Sequence, residues 1–118
     1  MRVVVQKVKN ASVEVNNQMV GEIKNGLVVL AGYEPSDSKE DISWMVQKII
    51  KMRIFDDSEN KLNFSVLDVN GEILLISQFT LHASVKKGNR PSYIKAADSK
   101  KAKQMYNQTI SEFENILK

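Results

Sequence analysis

The chain contains no cysteine. That absence excludes a disulfide framework and any thiolate metal site. It has one histidine, His82, so a metal motif built on paired histidines is excluded as well. No apolar run approaches the length needed to span a bilayer. The opening Met1-Arg2-Val3-Val4-Val5 is interrupted at once by Gln6 and Lys7, so it reads as a strand and not as a signal peptide. A soluble protein of the cytoplasm, with no membrane partner, is the expectation. There is no Gly-x-Ser-x-Gly elbow and no glycine-rich phosphate loop. Internal repeats and low-complexity segments are absent too.

What is present fits one domain over residues 1–118. Hydrophobic residues make up 42% of the chain, enough for a core and too many for disorder. At this length stability is modest unless a partner subunit adds to it. Net charge is +3, but it is unevenly placed. Residues 86–118 hold eight basic and three acidic groups, a net +5, while the preceding 85 residues hold nine basic and eleven acidic groups, a net −2. Clustered cations suit an anionic partner such as nucleic acid; a lysine-rich solvated face is the plainer reading.

The first third reads as short strands. Arg2 to Val8 and Ala11 to Val15 alternate, Asn16-Asn17 makes a turn, and Met19 to Ile23 returns. Lys24-Asn25-Gly26 turns again into Leu27–Ala31, continuously apolar as in a strand buried on both faces. The period then becomes helical. Ser38 is placed to cap a helix with Asp41 three residues on, and Ile42, Met45, Val46, Ile49 and Met52 form its stripe up to about Lys51. Trp44 lies off that stripe. Arg53-Ile54-Phe55 reads as a short strand, Phe64 to Val69 as extended, and Asn70-Gly71 as a hairpin leading into the strand Glu72 to Ser77. Ala83 to Ser92 is a loop. Ser99 is placed to cap a final helix striped by Ala102, Met105, Tyr106, Thr109, Ile110, Phe113 and Leu117 and running to the last residue, Lys118. This order gives an α+β fold, a mainly antiparallel, barrel-like sheet with two helices packed on it.

The side-chain inventory shows no conventional catalytic kit. A Ser-His-Asp triad would need His82, whose structural reading is preferred. The acid pairs Asp56-Asp57 and Glu40-Asp41 read as solvated or dipole-complementing groups. Ser77-Gln78-Phe79-Thr80 is the unusual stretch, polar where an apolar strand ends. Such a site can present backbone groups and hydroxyls to a ligand. The competing reading is a strand that simply continues, Phe79 inward and Gln78 and Thr80 outward.

Ser77-Gln78-Phe79-Thr80-Leu81 resembles the signature of the D-aminoacyl-tRNA deacylases. Met1–Val8, Ala11-Ser12-Val13, Val20–Ile23, Lys48-Ile49-Ile50, Arg53–Asp57 and Lys87-Gly88-Asn89-Arg90-Pro91-Ser92 resemble that family in order. The resemblance implies hydrolysis of the ester of D-aminoacyl-tRNA, and of mischarged glycyl-tRNA, by a cytoplasmic homodimer without metal or cofactor. It implies that Ser77, Gln78, Phe79 and Thr80 form one wall of the pocket. Thr80 is there either a nucleophile or one of several groups that position a substrate whose own 2′-hydroxyl assists. It further implies that Ala102 leaves room for the terminal adenosine. Lys86, Lys87 and Arg90 are assigned to tRNA phosphates on charge alone. The family also carries a later Asn-x-Gly-Pro-x-Thr motif whose Gly-Pro pair enters the partner's pocket and excludes L-amino acids. Here the prolines are Pro35 and Pro91, and neither follows glycine. The expectation is therefore a C-terminally short member, with an exposed sheet edge. It is a truncated product, a natural short form without the chiral selector, or a scaffold kept as a non-catalytic tRNA-binding module.

Overall fold

The computed structural model describes residues 1–117. In chain order they form β1 (Arg2–Val8), β2 (Ala11–Val15), β3 (Gln18–Ile23), β4 (Gly26–Gly32), α1 (Lys39–Lys51), β5 (Phe55–Asp56), β6 (Leu62–Phe64), β7 (Glu72–Ser77), a 3-10 turn (Phe79–His82) and α2 (Ser99–Ile116). Strands β1, β4 and β7 make a three-stranded sheet with β4 in the middle; β2 with β3, and β5 with β6, make two antiparallel pairs. Two helices and mostly antiparallel sheet place the chain in the expected α+β class. No described helix is long and apolar enough to cross a membrane.

Backbone packing divides the chain into two compact units. One comprises Val5–Val29 and Gln47–Ile76. In it Asn16 and Asn17 both take left-handed φ, +52° and +64°, which suits the tight turn between β2 and β3. The pair runs in register from Ala11 opposite Ile23 to Val15 opposite Gln18, with a bulge at Val13/Glu14. Gly26 abuts Glu72: a Cβ there would lie 1.9 Å from the Glu72 carbonyl oxygen. The Glu72 N–H donates to the Asn25 carbonyl at 3.0 Å, which fixes that approach.

Three expectations for this unit are corrected. The strand placed at Arg53-Ile54-Phe55 is Phe55–Asp56, because the Arg53 side chain turns to the carbonyl and side chain of Asn63. Of Phe64 to Val69 only Phe64 is extended, as the end of β6. The Ser65 N–H donates to Asp68 Oδ2 (2.9 Å) and the Asp68 N–H to Ser65 Oγ (3.2 Å), so the segment winds into a turn that buries Val66. Asn70-Gly71 closes this turn, with Asn70 at φ +52° and the Gly71 N–H on the Val66 carbonyl (2.8 Å); it is not a hairpin.

The other unit comprises Met1–Val4, Leu30–Val46 and the chain from Ser77 onward. The Ser38/Asp41 cap of α1 is reciprocal as expected: the Ser38 N–H donates to Asp41 Oδ2 (2.8 Å) and the Asp41 N–H to Ser38 Oγ (3.3 Å). The cap of α2 is Asp98 and not Ser99. Asp98 is extended and its carboxylate accepts from the Lys101 N–H at 2.8 Å, while Ser99 is already the first helical residue. The α2 stripe buries Met105, Thr109 and Phe113. The helix ends at Ile116, where the Leu117 N–H bonds the Phe113 carbonyl. Its expected continuation to Lys118 lies outside the described residues.

Candidate active site

The site grows from the end of β7. Ser77 closes the strand, and the Gln78 N–H donates to the Ala31 carbonyl at 2.7 Å, tying the chain to the end of β4. From there it turns at once into the 3-10 turn Phe79–His82. Gly32 permits this close approach. A Cβ at position 32 would lie 2.8 Å from the Gln78 carbonyl oxygen and 3.0 Å from His82 Nδ1. A second tether comes from Arg2, whose guanidinium donates to the Leu81 carbonyl at 3.0 Å.

The turn leaves Phe79 53% exposed. Tyr93 meets it edge to face, with centroids 5.0 Å apart and planes at 72°. Tyr93 is brought there by the preceding loop. Ser84 and Ser92 exchange two backbone hydrogen bonds of 2.8 Å, which close residues 85–91 into a projecting loop. Lys86, Lys87 and Arg90 stand exposed on it, and Gly88 takes φ +119°. After Tyr93 the Ala97 N–H bonds the Tyr33 carbonyl (2.8 Å), and Asp98 starts α2.

These pieces frame an open cavity of about 590 Å³ lined by Ser77, Phe79, Tyr93, Ala96, Ala97, Asp98, Ser99, Ala102, Lys103 and Tyr106. Of the residues singled out from sequence, Ser77, Phe79 and Ala102 meet there. Gln78 and Thr80 do not line the cavity; the Gln78 side-chain amide donates to the Thr80 hydroxyl. Lys86, Lys87 and Arg90 lie on the loop that delivers Tyr93 and are not part of the lining. Sequence reasoning does not single out Tyr93, Asp98, Ser99, Lys103 or Tyr106 as site residues. For Tyr106 a signal exists, since it sits four residues beyond Ala102 on one helix face. For Tyr93 there is none, because a loop has no period.

The α2 wall is tied to the end of β4 by a buried chain of hydroxyls. The Thr109 hydroxyl donates to the Met105 carbonyl (2.7 Å), so the Tyr33 phenol is the donor in its 2.8 Å bond to Thr109. Burial pushes the Tyr33 pKa up to about 12.

His82 is 1% exposed. Neither ring nitrogen has a hydrogen-bond partner, and the nearest charged group is the Glu34 carboxylate, 3.4 Å from Nε2. Burial holds its pKa below the ordinary value, and Glu34 works against that shift. The Thr80 hydroxyl therefore has an amide and not a base for its partner. Among the described residues no group of three or more His, Asp or Glu side chains is arranged to hold a metal ion. The cavity is lined by aromatic and small apolar residues together with Ser77, Asp98, Ser99 and Lys103. Such a lining suits a ligand with a flat ring and several hydroxyls.

A family model described as D-Tyr-tRNA(Tyr) deacylase matches residues 4–118. A D-aminoacyl-tRNA deacylase of Thermosipho africanus is 50% identical over 115 residues, covering 98% of this chain and 77% of its own length. Another, from Flavobacterium johnsoniae, is 54% identical over 114 residues, covering 97% and 76%. The chain thus spans about three quarters of these relatives. A solved structure described as c-Myc DNA Unwinding Element Binding Protein superposes with TM-score 0.92 at 37% identity, over 98% of this chain and 77% of that one. A probable eukaryotic D-amino acid tRNA deacylase shares the fold, with TM-score 0.85 at 17% identity over 98% and 67%.

Proposed function

The chain belongs to the D-Tyr-tRNA(Tyr) deacylase family, and on that premise we propose that it hydrolyses the ester joining a D-amino acid to the terminal adenosine of tRNA. Water adds to the ester carbonyl, the bond from that carbon to the ribose oxygen breaks, and the proton goes to the departing ribose oxygen. The products are free D-amino acid and tRNA. The observation that carries this reading is the cavity where the Ser77–Thr80 stretch meets Ala102 and the start of α2.

We assign the adenosine end to this cavity. Ser77 and Phe79 line one side, and Ala102 leaves room on the other. Gln78 and Thr80 brace each other behind that wall. With no base on the Thr80 hydroxyl, the substrate's own 2′-hydroxyl is the group best placed to assist. The protein's part is orientation and backbone donors towards the oxyanion. A site that reads backbone more than side chain also accepts mischarged glycine. Lys86, Lys87 and Arg90, exposed on their loop, are assigned to tRNA phosphates. The uninterrupted family match supports treating both compact units as one working domain. A charged tRNA as substrate supports a cytoplasmic location. Exposed Val15, Met19 and Val20 on the β2–β3 hairpin support a homodimer.

The test is deacylation of matched D- and L-tyrosyl-tRNA by the purified chain. Loss of the D-ester alone is the expected result. Loss of both esters would keep the chemistry and discard chiral selection. A folded sample that turns over neither, yet binds uncharged tRNA, would replace this reading with a tRNA-binding module.

A further inference from the structure

His82 is the histidine the reaction above does not use, and its surroundings are unusual. It is the last residue of the turn whose first residue, Phe79, lines the cavity. The ring is buried with both nitrogens unbonded, an arrangement that costs free energy unless something offsets it. The group on hand is Glu34, with Oε1 3.4 Å from Nε2. A carboxylate there favours the tautomer with the proton on Nε2, leaving Nδ1 bare against the backbone of Gly32. Glu34 is itself held by its neighbours, its N–H donating to Asp37 Oδ2 at 2.7 Å. It follows Tyr33, which bonds Thr109 on α2 and receives the Ala97 N–H. The His82–Glu34 contact therefore joins the Phe79 wall of the cavity to the segment that also carries the α2 wall.

We propose that His82, through Glu34, is a positioning residue that holds the Phe79–His82 turn at the spacing from α2 which the substrate requires. The inference rests on the deacylase reading for its functional consequence. It stands on the geometry of the turn for its structural one. The imidazole and the ester need not meet; the ring acts on the wall.

The surrounding charges fix the pH behaviour. Glu34 is nearest, and Arg2, Asp37 and the Met1 amine also act on the ring. Burial outweighs the two carboxylates, so the folded protein keeps the ring neutral below the pH at which an unfolded chain protonates it. Above the ordinary histidine value neither state takes up the proton. As pH falls below that value the unfolded chain takes it first, so stability declines.

The experiment uses His82→Phe, Glu34→Ala and the conservative Glu34→Gln. Each is assayed on D-tyrosyl-tRNA and followed by NMR. Because the chain has one histidine, its ring titration is read from one resonance. His82→Phe and Glu34→Ala are expected to lower kcat/KM about tenfold or more, with the double variant no worse than either. Glu34→Gln, which keeps the shape of the side chain and an oxygen beside Nε2, should retain most of the activity. The histidine resonance should titrate below its ordinary value, and further below in Glu34→Ala. The ring resonances of Phe79 and Tyr93 should shift in both disruptive variants. Wild-type rates in His82→Phe and Glu34→Ala would overturn the inference, as would a histidine titration indifferent to Glu34. If the wild-type chain itself turns over no ester, the deacylase reading fails instead, and the Phe79 and Tyr93 resonances alone decide whether the contact positions the wall. Should His82→Phe not fold, Glu34→Ala carries the same comparison.

Discussion

At the scale of single residues, the Tyr33–Thr109 pair is the most exacting contact. Both groups are buried, and the phenol has one acceptor. Thr109→Val keeps the shape and removes that acceptor, which should cost about 1–3 kcal/mol, read as a lower urea midpoint with an unchanged slope. Replacing both partners, Tyr33→Phe with Thr109→Val, should recover much of that cost, since no donor is then stranded. A double variant as unstable as the sum of the singles would refute this account. The same pair sets an alkaline limit. An unfolded tyrosine ionises near 10.0 and the folded one near 12, so stability falls as pH rises through that window. Threonine at 109 is legible in the sequence only as one position on an apolar stripe. Its hydroxyl partner lies 76 residues away, beyond the reach of any local pattern.

At the scale of elements, legibility follows how local the determining forces are. The β2–β3 hairpin, the reciprocal cap of α1 and the α2 stripe all follow from neighbours within a few residues, and all stand where the sequence puts them. The segments that differ from expectation are those in which a polar side chain competes with the backbone ladder. Asp68 captures the Ser65 N–H and bends an apolar stretch that reads as a strand. The cap of α2 stands one residue earlier than expected for a related reason: Asp98 and Ser99 are both competent caps, and sequence alone does not rank them. Asp98→Ala should cost about 0.5–2 kcal/mol, lowering the melting temperature by several degrees. A melt unchanged from wild type would mean that Asp98 matters only as part of the cavity lining. The site is half legible, in a recognisable stretch at Ser77–Thr80 and a small residue at Ala102. Its other half, around Tyr93, is delivered by a loop and a serine bridge that have no periodicity to read.

At the scale of the whole molecule, the uneven charge has a measurable consequence. Lys86, Lys87 and Arg90 stand exposed on one loop and do not line the cavity. Their job, on this reading, is affinity and not chemistry. Changing all three to alanine should therefore weaken tRNA binding and flatten its salt dependence by about 0.7 for each phosphate no longer neutralised, while kcat at saturating substrate stays near wild type. A salt slope identical to wild type would remove the loop from the tRNA interface. The tip of that loop carries a consequence of another kind. A Cβ added at Gly88 would meet no atom within 4 Å, so what restricts a side chain there is the φ of +119°. That angle is the mirror image of an ordinary extended backbone, strained for an L-residue and relaxed for its enantiomer. A protein whose relatives remove D-amino acids from tRNA thus has, in its own chain, a position whose geometry suits D-alanine better than L-alanine.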